Sequence, residues 1–337
     1  MVVSSYPPRR CGIGSYARAT VERMREAGDR VVVLSPPDGE GDVRVPFGWG
    51  RPFLRAARIG DRFDRIQVQF QPGLYYRPGL APSKVFASLF LLWLVVRRAQ
   101  TEIVVHEFER PALWRPDHLL LRLAFQRSRL AFHTDAERRR LEQSYRVRTR
   151  FRLVDHSDGV RVASPVGREE ARRRLGVARD QTLLLCAGFL QPDKGFDRAV
   201  RAFDGSPQAR LVILGSVREP TPVNLRYARG LRELCERTPC VTLIEDYVSD
   251  EDFDAWIQAA DRLVLPYRRS WSSGALARAH RLGTPAIVSD AGGLPEQAAP
   301  SDAVFTSDSE LATLMAEAAA FPLAEAARRR RGAEDSK

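Results

Sequence analysis

The stretch from Leu263 to Glu296 limits the fold of this chain more than any other. Leu263, Val264 and Leu265 form a short apolar run of the kind that makes a buried parallel strand, and Pro266 stops it. Ser270, Ser272, Ser273 and Gly274 then supply small capping residues where a helix should start. Ala275 to Leu282 reads as that helix. Gly283 ends it at a left-handed position that glycine takes without steric cost, and Pro285 cannot continue it. Ala286 to Val288 is the next strand, and Asp290 to Gly293 a turn at its C-terminal end. In open parallel sheets, ligands bind outside the C-terminal ends of the strands. Free N–H groups at Ser272, Ser273 and Gly274, with the positive end of a helix dipole, would suit a phosphate there. Every strand–helix unit has such a loop, so an anion site and a plain connection both stay open.

The same alternation runs along the chain, and 337 residues suit two domains rather than one core. Val2–Ser5, Arg30–Leu34, Arg65–Phe70, Glu102–Val105, Leu130–His133 and Arg152–Val154 read as strands of the first domain. A glycine-bearing loop ending in Gly12 and Gly14 enters its first helix, but the three-glycine dinucleotide fingerprint is absent, which argues against a dehydrogenase. Asp38–Pro52 reads as a polar surface loop, and Gly73–Tyr76 as a packed aromatic loop or an acceptor pocket. Ser83–Arg98 is an apolar helix whose apolar residues encircle it. That pattern fits burial between sheet and neighbours better than a membrane surface. His106 stands at the C-terminal end of a strand, where ligands bind.

Thr182–Ala187, Arg210–Gly215 and Val241–Ile244 read as strands of the second domain. Gly188 follows the first of them, and Lys194-Gly195 opens the next helix. A glycine at a strand end and a lysine at a helix start suit a diphosphate. Lys84, Lys194 and Lys337 are the only lysines in a chain with 53 Lys+Arg, which makes Lys194 conspicuous. The acids of Ser249–Asp252 read as a helix cap and first turn rather than a metal site, and His156 with Asp158 as hinge residues, so no metal is expected.

Charge is unevenly placed. Residues 1–150 carry 27 Arg+Lys against 15 Asp+Glu, and the remainder 26 against 27. The first half thus favours anionic partners, although arginine-rich coding alone would give the same bias. Cys11, Cys186, Cys235 and Cys240 lack metal spacing and fit free thiols of a reducing compartment. Neither a signal peptide nor a bilayer-length apolar run is seen, which predicts a cytoplasmic protein.

Gly283-Thr284-Pro285, Ser289-Asp290, Gly292-Gly293-Leu294-Pro295-Glu296 and Lys194-Gly195 resemble the donor-site signature of the family-4 retaining glycosyltransferases. The resemblance covers roughly residues 2–320. Three positions depart from it: Phe189 stands in place of an arginine, and Ser270 and Arg278 in place of two glutamates. The resemblance implies an α/β GT-B fold, with two Rossmann-like parallel-sheet domains facing a central cleft. They would be 1–157 on the acceptor side and 158–320 on the nucleotide-sugar side, with an arginine-rich tail at 321–337. It implies transfer of a sugar from a nucleotide-diphosphate sugar, with retention, to a glycan or lipid-linked acceptor. It implies no cofactor, no metal and no nucleic acid, and the charge adds peripheral contact with an anionic membrane. By the same resemblance His106 holds the sugar and Lys194 neutralises the leaving diphosphate. Gly12, Gly188, Ser272, Ser273, Gly274 and Arg278 line the diphosphate and sugar, and Tyr247 and Val248 meet the base. The three departures also fit a catalytically weakened binding subunit.

Overall fold

A computed structural model describes residues 1–77, 80–98, 100–112, 114–162 and 166–320. The expected tail at 321–337 lies outside the described residues. The chain divides into two compact units, Met1–Val160 and Arg161–Lys337.

Unit 1 is a seven-stranded parallel sheet in the order β3-β2-β1-β4-β5-β6-β7. Its strands are β1 (Val2–Val3), β2 (Val33–Ser35), β3 (Val43–Arg44), β4 (Ile66–Phe70), β5 (Thr101–Val105), β6 (Arg129–Phe132) and β7 (Arg150–Leu153). Its helices are α1 (Gly12–Glu26), α2 (Arg51–Ile59), α3 (Pro72–Tyr75), α4 (Ala81–Arg97), α5 (Pro116–Arg127) and α6 (Asp135–Tyr145). The segment read as a 38–52 surface loop therefore holds a short strand and the start of a helix. The aromatic loop is packed: Tyr75 and Tyr76 are buried, and the Tyr75 hydroxyl donates its one proton to the Gln69 carbonyl (2.7 Å), with the Val3 carbonyl also in reach (3.1 Å). Helix α4 departs from expectation. Ala87, Leu91, Leu94 and Val95 are buried, but Phe86, Leu89, Trp93 and Val96 on its outer side are exposed.

Unit 2 is a six-stranded parallel sheet in the order β10-β9-β8-β11-β12-β13. Its strands are β8 (Thr182–Ala187), β9 (Ala209–Gly215), β10 (Val241–Glu245), β11 (Arg262–Leu265), β12 (Ala286–Ser289) and β13 (Ala303–Phe305). Its helices are α7 (Arg168–Arg174), α8 (Phe196–Ala202), α9 (Pro222–Arg237), α10 (Asp250–Ala259), α11 (Gly274–Leu282), α12 (Leu294–Gln297) and α13 (Asp308–Ala320). Every residue of β8 is buried, as its unbroken apolar run requires. Ser249 caps α10 by accepting from the Asp252 N–H, and Ser273 caps α11 by accepting from the Leu276 N–H. Gly283 ends α11 at φ 72°, the left-handed value that favours glycine.

A buried carboxylate sets the register at the N-terminal ends of β8 and β11. Asp261 accepts from the Leu183 N–H at 2.8 Å, while its own N–H donates to the Leu183 carbonyl at 2.7 Å. Arg168 and Arg172 reach it from α7 at 2.6 and 3.2 Å. Arg172 also donates to the carbonyls of Ala259 (2.9 Å) and Ala178 (2.6 Å), so its guanidinium can be buried.

Candidate functional site

In unit 2 the loops at the C-terminal ends of β8, β11 and β12 are locked together. Arg268 N–H donates to the Asp193 carbonyl at 2.8 Å, and the Arg269 guanidinium holds the Asp193 carboxylate at 2.8 Å. The Arg268 guanidinium donates to both Asp197 oxygens at 2.7 Å. Burial alone would raise the Asp197 carboxyl, but Arg268 and Arg201 hold it down at about 2. Gly195, at φ 61°, lies so close to Pro266 that a Cβ there would sit 2.2 Å from the Pro266 carbonyl oxygen. At Gly292, φ 63°, a Cβ would meet the Ser270 carbonyl oxygen at 1.9 Å. Glycine is needed at both places by conformation and by close approach.

Lys194 sits inside this frame. Its Nζ lies 3.8 Å from the centroid of the Tyr267 ring, whose body is buried. The neighbouring cations are spoken for: Arg198 pairs with Asp308, Arg201 and Arg268 with Asp197, and Arg269 with Asp193. Among the described residues, Lys194 has no carboxylate partner. It is a cation held by a π face and left open to an anion.

The anion loop is partly corrected by the structure. Ser273 N–H donates to Gln297 Oε1 at 2.8 Å, and Gln297 Nε2 returns a bond to the Ser273 carbonyl at 2.7 Å. Its amide is thus engaged with α12. The amides of Ser272, Gly274 and Ala275 have no acceptor among the described residues. Arg278 is also drawn elsewhere. Its guanidinium meets Asp254 at 3.0 Å and Asp250 at 3.3 Å and lies over the Phe253 ring at 5.4 Å. It ties α11 to α10, because those carboxylates stand one helical turn apart on the facing helix. The expectation that it neutralises a diphosphate is revised accordingly.

Gly188, at φ 144°, ends β8, and the Phe189 ring that follows stacks on Tyr247 at 6.3 Å, with Arg218 over it at 5.6 Å. Val248 packs on the core of unit 2. Gly12 opens α1 with nothing within 4 Å of a Cβ built on it.

In unit 1, His106 follows β5 and joins three other rings. Tyr16 makes edge contacts with His106 (4.9 Å), His133 (5.2 Å) and His156 (5.6 Å), and His133 lies 4.3 Å from His156. A Cβ at Gly159 would fall 1.8 Å from the Tyr16 ring, so only glycine lets the 156–159 turn close on it. Burial, then His133, pushes the His106 imidazole well below its ordinary range. Burial brings His133 to about 4. Both rings are neutral at pH 7. Among the described residues, no cluster of three or more His, Cys, Asp or Glu is placed to hold a metal ion.

A row of side chains on one sheet face fixes the His106 tautomer. Arg152 donates to both Glu102 oxygens at 2.7 and 2.8 Å. Gln67 Nε2 donates to Glu102 at 2.9 Å, Gln69 Nε2 donates to Gln67 Oε1 at 3.0 Å, and Gln69 Oε1 faces His106 Nε2 at 2.7 Å. The carboxylate can only accept, so each amide must point its N–H₂ toward Glu102 and its oxygen toward the histidine. His106 therefore carries its proton on Nε2 and presents Nδ1 as an acceptor. Sequence reasoning missed this row; its signal is Gln67 and Gln69, two residues apart on β4. Gln69→Leu removes the acceptor from His106. ¹⁵N NMR of the imidazole should show the Nε2–H tautomer in the wild type and a tautomer mixture in the variant. An unchanged tautomer would separate His106 from the row.

A cavity of about 980 Å³ lies at the other end of this sheet, lined by Arg65, Arg129 and Arg150 among others. It includes neither His106 nor Lys194. Ligands of open parallel sheets bind at the C-terminal ends, so the candidate site is kept there.

With this geometry in place, residues 167–336 match the family described as glycosyl transferases group 1. D-inositol 3-phosphate glycosyltransferase of Streptomyces griseus is 34% identical over 156 residues, covering 43% of this chain and 33% of that protein. The match thus spans about a third of the length of that relative. Among solved structures, sucrose-phosphate synthase from Thermosynechococcus elongatus superposes with a TM-score of 0.70 at 16% identity, over 95% of this chain and 89% of the other. Anabaena Alr3699/HepE in complex with UDP-glucose gives 0.69 at 15% identity, over 94% and 89%. At such identities the likeness shows the fold alone, two Rossmann-like parallel-sheet units of GT-B type.

Proposed function

The chain belongs to the glycosyl transferases group 1 family, and on that premise we propose that it moves a sugar from a nucleotide-diphosphate sugar to an acceptor hydroxyl with retention at the anomeric carbon. The observation that carries this reading is Lys194, a cation held on Tyr267 without a carboxylate, at the strand ends where a diphosphate would lie. As the bond between the anomeric carbon and the diphosphate breaks, its electron pair leaves with the phosphate. Lys194 and the amides of Ser272, Gly274 and Ala275 stabilise that charge. The acceptor oxygen then bonds to the oxocarbenium-like carbon on the same face, and its proton passes to the departing diphosphate oxygen. His106, through Nδ1, accepts a hydrogen bond from a hydroxyl of the sugar. Tyr247 and Val248 meet the base. The reading assigns charge neutralisation to protein groups and needs no metal.

The acceptor class is drawn from glycans, lipid-linked intermediates and polyol phosphates, and the protein works in the cytoplasm, in peripheral contact with anionic membrane. Among the described residues no helix is long and apolar enough to cross a membrane. The relatives named for D-inositol 3-phosphate make a polyol phosphate the first acceptor to try, and the neighbour holding UDP-glucose makes UDP-glucose the first donor. ¹H NMR during donor hydrolysis tests the stereochemistry. The α-anomer should appear first from an α-linked donor; β-anomer first would contradict retention.

A further inference from the structure

We infer that the outer face of the layer formed by α2, α4 and α5 is the surface that docks this chain on an anionic lipid bilayer. The inference rests on the membrane contact proposed above and assigns it a place. Phe86, Leu89, Trp93 and Val96 follow one another at three, four and three residues, which puts them on one side of α4. They are 45%, 43%, 39% and 63% exposed. Helix α5 packs on α4 and leaves Leu119 and Leu123, four residues apart, exposed as well. Trp49 sets its ring 5.9 Å from Phe86. Large apolar side chains gathered in this way mark an interaction surface rather than the scatter of single exposed residues found on any protein.

Charge selects the occupant. Helix α2 also packs on α4, with Phe53, Ala56 and Ala57 buried. Its exposed positions are Arg51, Arg55 and Arg58, again on one side, and none has a carboxylate partner among the described residues. Neither α2 nor α4 contains an acid. The one acid of α5, Asp117, is buried against Arg115 at 3.0 Å. Beyond α2, Asp61 is taken by Arg97 at 2.7 Å. A second copy laid on this face would bring arginines to a surface with no free carboxylate and leave them unpaired. Headgroup phosphates supply the missing anions. The apolar stripe then enters the headgroup–acyl boundary, with Trp49 and Trp93 at the depth tryptophan favours.

Flotation of the full chain with phosphatidylcholine vesicles, and with vesicles containing three parts in ten phosphatidylglycerol, tests this without any donor. The wild type should float with the anionic vesicles and far less with the neutral ones. Each arginine near such a surface is worth about fivefold in binding, so Arg51→Gln/Arg55→Gln/Arg58→Gln should bind about a hundredfold more weakly. Phe86→Ser/Trp93→Ser should lose binding while still melting in one cooperative transition above the assay temperature, since neither side chain belongs to the buried core. The same charge loss at Arg226, Arg229 and Arg237 on α9 should leave binding unchanged. If the wild type ignores anionic vesicles, the membrane contact falls and the transfer chemistry stands untouched. If it binds but the α2 and α9 variants lose equally, or the α4 variant loses only a self-association seen by sedimentation, this face is not the docking surface.

Discussion

Lys194→Ala should lower turnover of the donor by about 10²–10³-fold, the range seen when one group that stabilises developing negative charge is removed. The lysine sits at the end of a short turn, Pro192–Lys194, pinned by Arg268, Arg269 and the close approach of Gly195 to Pro266. Its ammonium needs no reorganisation to meet a phosphate. Folding should hardly notice the change, because the side chain forms no ion pair and its contact with Tyr267 is worth about 0.5–1 kcal/mol at a partly exposed site. Lys194→Arg keeps the charge but not the compact ammonium over the ring, and should recover part of the rate. Turnover at saturating donor, read beside a urea melt, checks both halves. Equal turnover in wild type and Lys194→Ala would make the lysine an ordinary surface charge.

Asp261→Ala should cost about 3–5 kcal/mol of stability, the penalty for removing one partner of a buried ion pair. Two guanidinium groups would lose their anion, and the Leu183 N–H its acceptor. The consequence reaches the site because Asp261 joins β8 to β11 at one end, while Lys194 and Tyr267 follow the same strands at the other. At about 3.3 Å per residue, six residues of β8 carry a register error some 20 Å to Gly188. Urea denaturation should show the lower midpoint, and donor affinity should fall with it. A variant as stable as the wild type would remove Asp261 from this role.

Much of the fold could be read from the chain because buried parallel strands are continuous apolar runs, as in Thr182–Ala187, and because caps such as Ser249 and Ser273 act within three residues. Helix α2 escaped notice: its buried side is only Phe53, Ala56 and Ala57 behind Pro52, and it starts from a left-handed Gly50 after a polar stretch. The burial of α4 was misjudged since a helix apolar all round fits a core equally well; periodicity cannot say which neighbours exist. At the site, backbone position was legible and side-chain direction was not. Arg278 lies in α11 as expected, but Asp250 and Asp254 of α10 turn it away. The Ser273 amide is claimed by Gln297, 24 residues on, which no local pattern announces. The glutamine row reads as a solvent-facing strand until Glu102 and His106 are seen beside it.

The central claim is that Lys194 and the neighbouring amides receive the diphosphate of a nucleotide-sugar. Its most direct test is release of nucleoside diphosphate from a panel of UDP-, GDP- and ADP-sugars, each incubated with wild type and Lys194→Ala. The account predicts slow release from one donor class by the wild type, and near-complete loss in the variant. Binding of a donor without release would favour a weakened binding subunit, and neither binding nor release from any of them would contradict the account outright.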